Sequence, residues 1–392
     1  MVKTPVYMDY HATTPVDPRV LEAMMPYFTE HFGNAASLQH RFGWIAKEAV
    51  ENSRKKIADA IGARSHEIIF TSGATESNNL AIKGIADAYF SKGKHIITVQ
   101  TEHKCVLESC RNLESNGFTV TYLPVDPLGR VSVDSIRNAI TEQTILVSVM
   151  AANNEIGTIQ PLQEIGALCK ERGVLFHTDA TQAIGRVKMN VEEMHIDLLS
   201  CASHKIYGPK GVGALYIRSR NPRVAVIPQI DGAGHEHGLR SGTLNVAGIV
   251  GFGKAAQIAV TEMDEENTRL TMLRDLLQTE ITKHDSISVN GDQSNRLPNN
   301  LNVTFHGINA DRLMTAMNDV AVSAGSACTS EEIGDQEYSH VLHAVGLDAD
   351  AGKSTIRFGL GRFTTEDEIL YTAKKIHSAI ASLKEHSIVG AS

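Results

Sequence analysis

A chain of 392 residues is long enough to bury a large core and to hold two domains. Its formal net charge of -8 excludes a generally basic, nucleic-acid-coating surface, and no apolar run is long enough for a secretory signal or a membrane span, so no membrane role and a cytoplasmic location are expected. The 5 cysteines, Cys105, Cys110, Cys169, Cys201 and Cys328, are odd in number in a chain too large to need staples, so reduced thiols are expected.

Val6-Tyr7-Met8-Asp9 reads as a short strand and Pro18 to Tyr27 as a helix with proline near its start. Helical periodicity returns from Ile45 through Ile61 and stops at Gly62. Ile68-Ile69-Phe70-Thr71 is a short apolar strand, followed by the turn Ser72-Gly73-Ala74-Thr75-Glu76-Ser77 and a helical run through Ala88. The alternation continues with a strand His95 to Val99, a helix Lys104 to Gly117, and strands around Val120 to Leu123 and Leu146 to Met150. A helix Leu162 to Glu171, a strand Val174 to His177, and strands around Leu198 and from Gly213 to Ile217 complete the series. Such alternation predicts an α/β fold: a large, mostly parallel sheet with helices on both faces. Val246 to about His284 reads as a helical exit from this domain, rich in glycine and alanine at first and charged between Glu262 and Glu280. Strands near Asn302 to Phe305 and Val320 to Ser323, with a last helix from Thr365 to Leu383, predict a smaller α+β domain. Neither a Gly-x-Gly-x-x-Gly opening nor a Walker motif is present.

Reactive residues collect where apolar strands end. Asp179 closes the run Leu175-Phe176-His177-Thr178, and Lys205 follows Leu198-Leu199-Ser200-Cys201-Ala202-Ser203-His204. Strand ends are where open α/β sheets keep their chemistry. Pyridoxal phosphate needs an amine for a Schiff base, a carboxylate for its ring nitrogen, an anion cradle and a group against the ring face. Lys205 can supply the amine, Asp179 the carboxylate, Gln182 a partner for the phenolic oxygen, and His103 a ring contact or proton shuttle. Ala74 and Thr75, between a strand and a helix, can hold phosphate at a helix N-terminus, with Ser203 and His204 as further donors. Taken singly, each is more often an ordinary surface or buried polar residue; their joint order carries the argument. Cys328 follows Gly325-Ser326-Ala327 and precedes the polar run Ser330 to Glu337, which reads as a loop able to carry a thiol between substrate and acceptor. Cys201-x-x-His204 and His235-x-His237 are fragments without a complete ligand set, so no metal is expected.

Several stretches resemble the cysteine desulfurases of the NifS/IscS type, fold-type-I pyridoxal-phosphate enzymes of the class-V aminotransferase family. They include Tyr7 to Pro15, Thr71 to Asn79, Thr101-Glu102-His103, Asn153-Asn154-Glu155-Ile156-Gly157, Asp179-Ala180-Thr181-Gln182 and Ser203 to Gly211. Arg240-Ser241-Gly242-Thr243, Gly325-Ser326-Ala327-Cys328 and Ile356-Arg357-Phe358 complete the set. The resemblance implies a homodimer with a large cofactor domain over 16–258. It implies a small domain from 1–15 with 259–392, carrying the catalytic-cysteine loop around 324–340. By the same resemblance Lys205 bears the cofactor, His103, Asp179 and Gln182 contact its ring system, and Thr75, Ser203 and His204 lie on its phosphate side. Thr243 reaches the phosphate of the neighbouring subunit, Asn154 and Arg357 bind the substrate carboxylate, Asn34 lies near the substrate, and Cys328 takes the sulfur. The implied reaction converts L-cysteine to L-alanine through a persulfide, for an iron-sulfur scaffold, another sulfur acceptor or a tRNA-thiolation partner. The alternative is a selenocysteine lyase or another β-eliminating enzyme. Ala35, Ala151 and His237 depart from the family pattern, and a change in pocket packing, substrate preference or phosphate-side electrostatics is expected there.

Overall fold

The computed structural model describes residues 2–283, 286–324 and 338–389, with side chains to 383. The first strand, β1 (Val6–Tyr7), belongs to the small domain. Seven strands then build the large sheet: β2 (Ile68–Thr71), β3 (His95–Val99), β4 (Thr119–Leu123), β5 (Thr144–Ser148), β6 (Leu175–Asp179), β7 (Leu198–Ala202) and β8 (Gly213–Ile217). Their order is β2-β8-β7-β6-β5-β3-β4, and all run the same way except β8, which is antiparallel to both neighbours. Every residue of β2, β3, β5, β6, β7 and β8 is buried, which requires helices on both faces of the sheet.

Alternate residues supply the two faces. Ile68, Phe70, Val147 and Phe176 pack with helices Arg41–Ile61 and Val246–Thr261. Ile69, Ile96, Leu146 and Leu215 pack with helices Ala74–Ala88 and Lys104–Ser115. On the first face Gly253 lets two helices touch, because a Cβ there would lie 2.7 Å from the Cα of Ser53.

The small domain contains β9 (Ile287–Val289), β10 (Asn300–Phe305), β11 (Val320–Ala321), β12 (Ser323–Ala324) and β13 (Thr355–Gly359). An antiparallel sheet runs β12-β13-β10-β9, while β11 pairs in parallel with β1. Leu270, Leu277, Ile369 and Ile376 bring helices Met263–Ile281 and Glu366–Val389 onto this sheet. The fold is therefore α/β with a smaller α+β domain, as the strand and helix alternation predicted. No helix among the described residues is long and apolar enough to cross a membrane.

Local departures have local causes. The helix expected over Pro18 to Tyr27 breaks into Pro18–Met24 and Pro26–Thr29, because Pro26 cannot donate to the preceding turn. The helix expected from Ile45 starts at Arg41, capped by His40, whose ring accepts the Gly43 N–H. The long stretch from Val246 divides at Glu262, whose backbone (φ -99°, ψ 5°) leaves the helical path. Val320 to Ser323 is two short strands in two different sheets, and β13 and the helix Val133–Ala139 had no counterpart in the sequence reading.

Candidate functional site

A cavity of about 630 Å³ opens at the C-terminal ends of the parallel strands, lined by His103, Asn154, Asp179, Gln182, Lys205 and Arg357 among others. Asp179 is the last residue of β6, and Lys205 ends the single 3₁₀ turn that follows β7. The small domain contributes Asp9, Ser323 and Arg357 to the opposite wall.

Asp179 is held from two sides: Asn78 Nδ2 donates to its Oδ2 at 2.7 Å, and the Thr181 N–H donates to its Oδ1 at 2.9 Å. Lys205 Nζ donates to the carbonyls of His11 at 2.5 Å and Ala12 at 2.8 Å. Gln182 is clamped by the same residue, its Nε2 donating to the His11 carbonyl and its Oε1 facing His11 Nδ1, both at 3.0 Å. Burial first, and then the Arg357 charge, push the His11 pKa down to about 3, so its ring is neutral. His103 caps helix Lys104–Ser115 and presents its ring to the cavity, where desolvation lowers its pKa against the pull of Asp179.

The N-terminus of helix Ala74–Ala88 faces the same space, with Ala74 and Thr75 on the lining. Its approach depends on Gly213: a Cβ there would lie 2.6 Å from the Cys201 carbonyl oxygen and 2.7 Å from the Gly73 backbone. His204 Nδ1 lies 3.1 Å from Thr13 Oγ1, and burial pushes its pKa down to about 4. Ser203 is fully buried beneath this wall, and its Oγ has no hydrogen-bond partner.

Arg357 reaches the cavity from β13. Its Nη2 donates to Asp9 Oδ1 at 2.8 Å and its Nη1 to the Asn154 carbonyl at 3.0 Å, while the buried Nε has no partner. Besides Ser203, which is not on the lining, two expected residues are not brought to this cavity within one chain. Thr243 is exposed, beyond the Arg240–Glu76 ion pair, and Asn34 is exposed, with its Oδ1 accepting the Ala36 N–H. Cys328 and most of the expected loop lie outside the described residues.

Residues 6–371 match the family model of the class-V aminotransferases. A cysteine desulfurase IscS of Anaeromyxobacter sp. (strain K) is 54% identical over 387 residues, covering 98% of this chain and 95% of that protein. The chain belongs to the NifS/IscS-type cysteine desulfurases of this family. Among solved structures, a NifS-like protein superposes with a TM-score of 0.89 at 39% identity, covering 96% of this chain and 99% of its own. Another, described as SspA in complex with cysteine, gives a TM-score of 0.79 at 38% identity over 92% of this chain and 100% of its own.

The family's cofactor is pyridoxal phosphate, and the residues present fit it. An amine, a carboxylate and a helix N-terminus converge on one cavity, and the Thr181 hydroxyl on its lining has no protein partner. Ala151, where the family pattern differs, is buried, and its N–H donates to the Asp179 carbonyl at 2.9 Å. His237 sits at φ 59° and its neighbour Glu236 at φ 50°, two consecutive left-handed residues, a conformation uncommon outside glycine. Among the described residues no group of three or more metal-ligating side chains is placed to hold an ion. The sequence reading missed Asp9, His11, Asn78 and Cys105. Asp9 and His11 stand in the Tyr7 to Pro15 stretch and Asn78 in the Thr71 to Asn79 stretch, so the motifs marked them without assigning work.

Proposed function

We propose that this chain is a pyridoxal-phosphate-dependent cysteine desulfurase that works as a homodimer, with each side chain of the cavity in a stated role. The observation that carries the reading is the placement of Lys205 and Asp179 on one cavity with Arg357 across from them. When bound, pyridoxal phosphate supplies an electrophilic carbonyl carbon and a ring that withdraws electrons. Lys205 would hold it covalently, and Asp179 would keep its ring nitrogen protonated. Ala74, Thr75, Ser203 and His204 would hold its phosphate, while Gln182 and His103 would contact its ring. Arg357 and Asn154 would orient the carboxylate of L-cysteine, and the Lys205 amine on the same cavity would take its α-proton. Cys328 attacks the substrate sulfur as a thiolate and keeps it as a persulfide while the carbon–sulfur bond breaks toward carbon, and the remaining skeleton takes one proton at Cβ, regains one at Cα and leaves as L-alanine.

The dimer is supported by an apolar surface. Phe28, Phe32, Leu38, Phe42 and Trp44 are all at least 49% exposed within one chain, and the rings of Phe32 and Phe42 lie 5.3 Å apart, exposed apolar side chains of the kind that mark an interaction surface. Asn34 lies inside this stretch, and we assign it and Thr243 to the partner's active site. For the domain division at 16–258, support comes from the cores: Val6 and Met8 pack with Leu270 and Leu301, whereas Val20 packs with Phe252 and Ala259. The persulfide is passed to a sulfur acceptor, such as an iron-sulfur scaffold or a tRNA-thiolation protein.

The test is to incubate the purified protein with L-cysteine, quantify alanine and weigh the Cys328 peptide. Cys328→Ser should retain cofactor and substrate binding yet sustain no alanine formation, because a hydroxyl cannot store sulfur as a persulfide. Alanine formed by the serine variant at the original rate would overturn the role of Cys328. Absence of alanine from the unchanged protein would overturn the activity.

A further inference from the structure

Asp179, Asn78, Cys105 and His103 form a hydrogen-bonded row beside the cavity. A carboxylate only accepts, so the contact of Asn78 Nδ2 with Asp179 Oδ2 at 2.7 Å fixes which end of the amide is nitrogen. The same Nδ2 lies 3.1 Å from Cys105 Sγ, which makes the sulfur an acceptor from Asn78. The thiol's own proton then has His103 Nδ1 before it at 3.1 Å. A second donor reaches the same nitrogen, because the backbone N–H of Cys105 lies 3.2 Å from Nδ1 in the helix cap.

Both contacts require a bare Nδ1, and a neutral imidazole carries only one proton. We propose that Cys105 is a positioning residue that fixes His103 as the tautomer protonated on Nε2, so the ring is a donor at Nε2 and takes up no proton there. This rests on the desulfurase reading, in which His103 lies against the cofactor ring. It assigns the removal of the substrate proton to Lys205 alone and leaves His103 the work of a ring contact and hydrogen-bond donor. The charges around the pair agree with two neutral partners. Asp179, Lys205, His340 and Lys104 act on the imidazole, whose pKa is lowered chiefly by desolvation. Asp179 and Glu102 act on the thiol, whose pKa burial pushes up to about 12. Protonating Nδ1 would sever the helix cap and the thiol contact together.

The tautomer can be read directly in the holoenzyme labelled with nitrogen-15 histidine, using long-range proton–nitrogen correlations and a His103→Asn variant for assignment. The unchanged protein should show His103 with its proton on Nε2 at neutral pH. Cys105→Ala removes the thiol donor to the neutral ring, so the His103 pKa should rise by on the order of one unit. Cys105→Ser, which retains a donor, should hold it near the original value. A proton on Nδ1 in the unchanged holoenzyme, or an unaltered His103 titration in Cys105→Ala, would overturn the proposal. If the alanine variant does not fold, the tautomer in the unchanged protein decides. None of these measurements uses substrate, so a protein that makes no alanine from L-cysteine would sink the desulfurase reading separately.

Discussion

Asp9 and Arg357 meet at 2.8 Å although 348 positions separate them in the chain. The contact closes the small-domain side of the cavity, because β13 delivers the guanidinium and the segment after β1 delivers the carboxylate. With Asp9 and the Asn154 carbonyl taking one donor each from two nitrogens, the planar fork is oriented before any ligand arrives.

Arg357→Lys should therefore weaken L-cysteine binding rather than folding. Lysine keeps the charge but loses the two-pronged geometry. Loss of one charged hydrogen bond is worth about 2 kcal/mol, roughly thirtyfold in KM where binding equilibrates. Initial-rate kinetics would show it, and an unchanged KM would remove Arg357 from the carboxylate site.

Gly213→Ala should impair cofactor retention. The added methyl would press on the backbone of Gly73, at the start of the helix whose N-terminus faces the cavity. We expect roughly a tenfold loss of pyridoxal phosphate affinity, equivalent to 1.4 kcal/mol. Equilibrium titration of the apoprotein would measure it, and wild-type affinity would mean that the wall yields without cost.

Glu236→Gln should destabilise the fold. Arg54 donates to both carboxylate oxygens of Glu236, at 2.7 and 2.8 Å, and the Phe70 N–H donates to one of them at 2.7 Å. Both side chains are buried, so neutralising Glu236 leaves the Arg54 charge with only the exposed Glu51 at 3.3 Å, a cost of about 3 kcal/mol. Urea unfolding would detect the change, and a shift below about 1 kcal/mol would place the pair with ordinary surface contacts.

Stability should fall early on acidification, from histidine rather than carboxylate titration. Burial holds His11 at about 3 and His177 at about 4, against 6.5 for a free imidazole. The unfolded chain thus binds more protons than the native one between about pH 6.5 and 4, and stability is lost as pH falls through that window. Each such histidine contributes on the order of 1.4 kcal/mol per pH unit. Unfolding free energies from pH 7 down to 4.5 would show the slope, and His177→Gln should reduce it. A flat profile would contradict neutral burial.

Local pattern determined a great deal about this protein by itself. Short apolar runs ended by polar residues marked the strands, and Asp179 and Lys205 were legible because each stands where such a run ends. Helix boundaries followed where a cap or a proline stated them, and Pro26 shows the cost of passing over one. Only the tertiary structure decided the reversal of β8 between β2 and β7, since an apolar five-residue strand reads the same in either direction. It also decided that the His11 carbonyl would hold both Lys205 and Gln182, that Asp9 would meet Arg357, and that Asn78 and Cys105 would join Asp179 to His103. The physical reason is one of range. Strand and helix propensities act between neighbours in the chain, whereas these hydrogen bonds join side chains and carbonyls that come together only after the sheet has set its order and the small domain has packed against it.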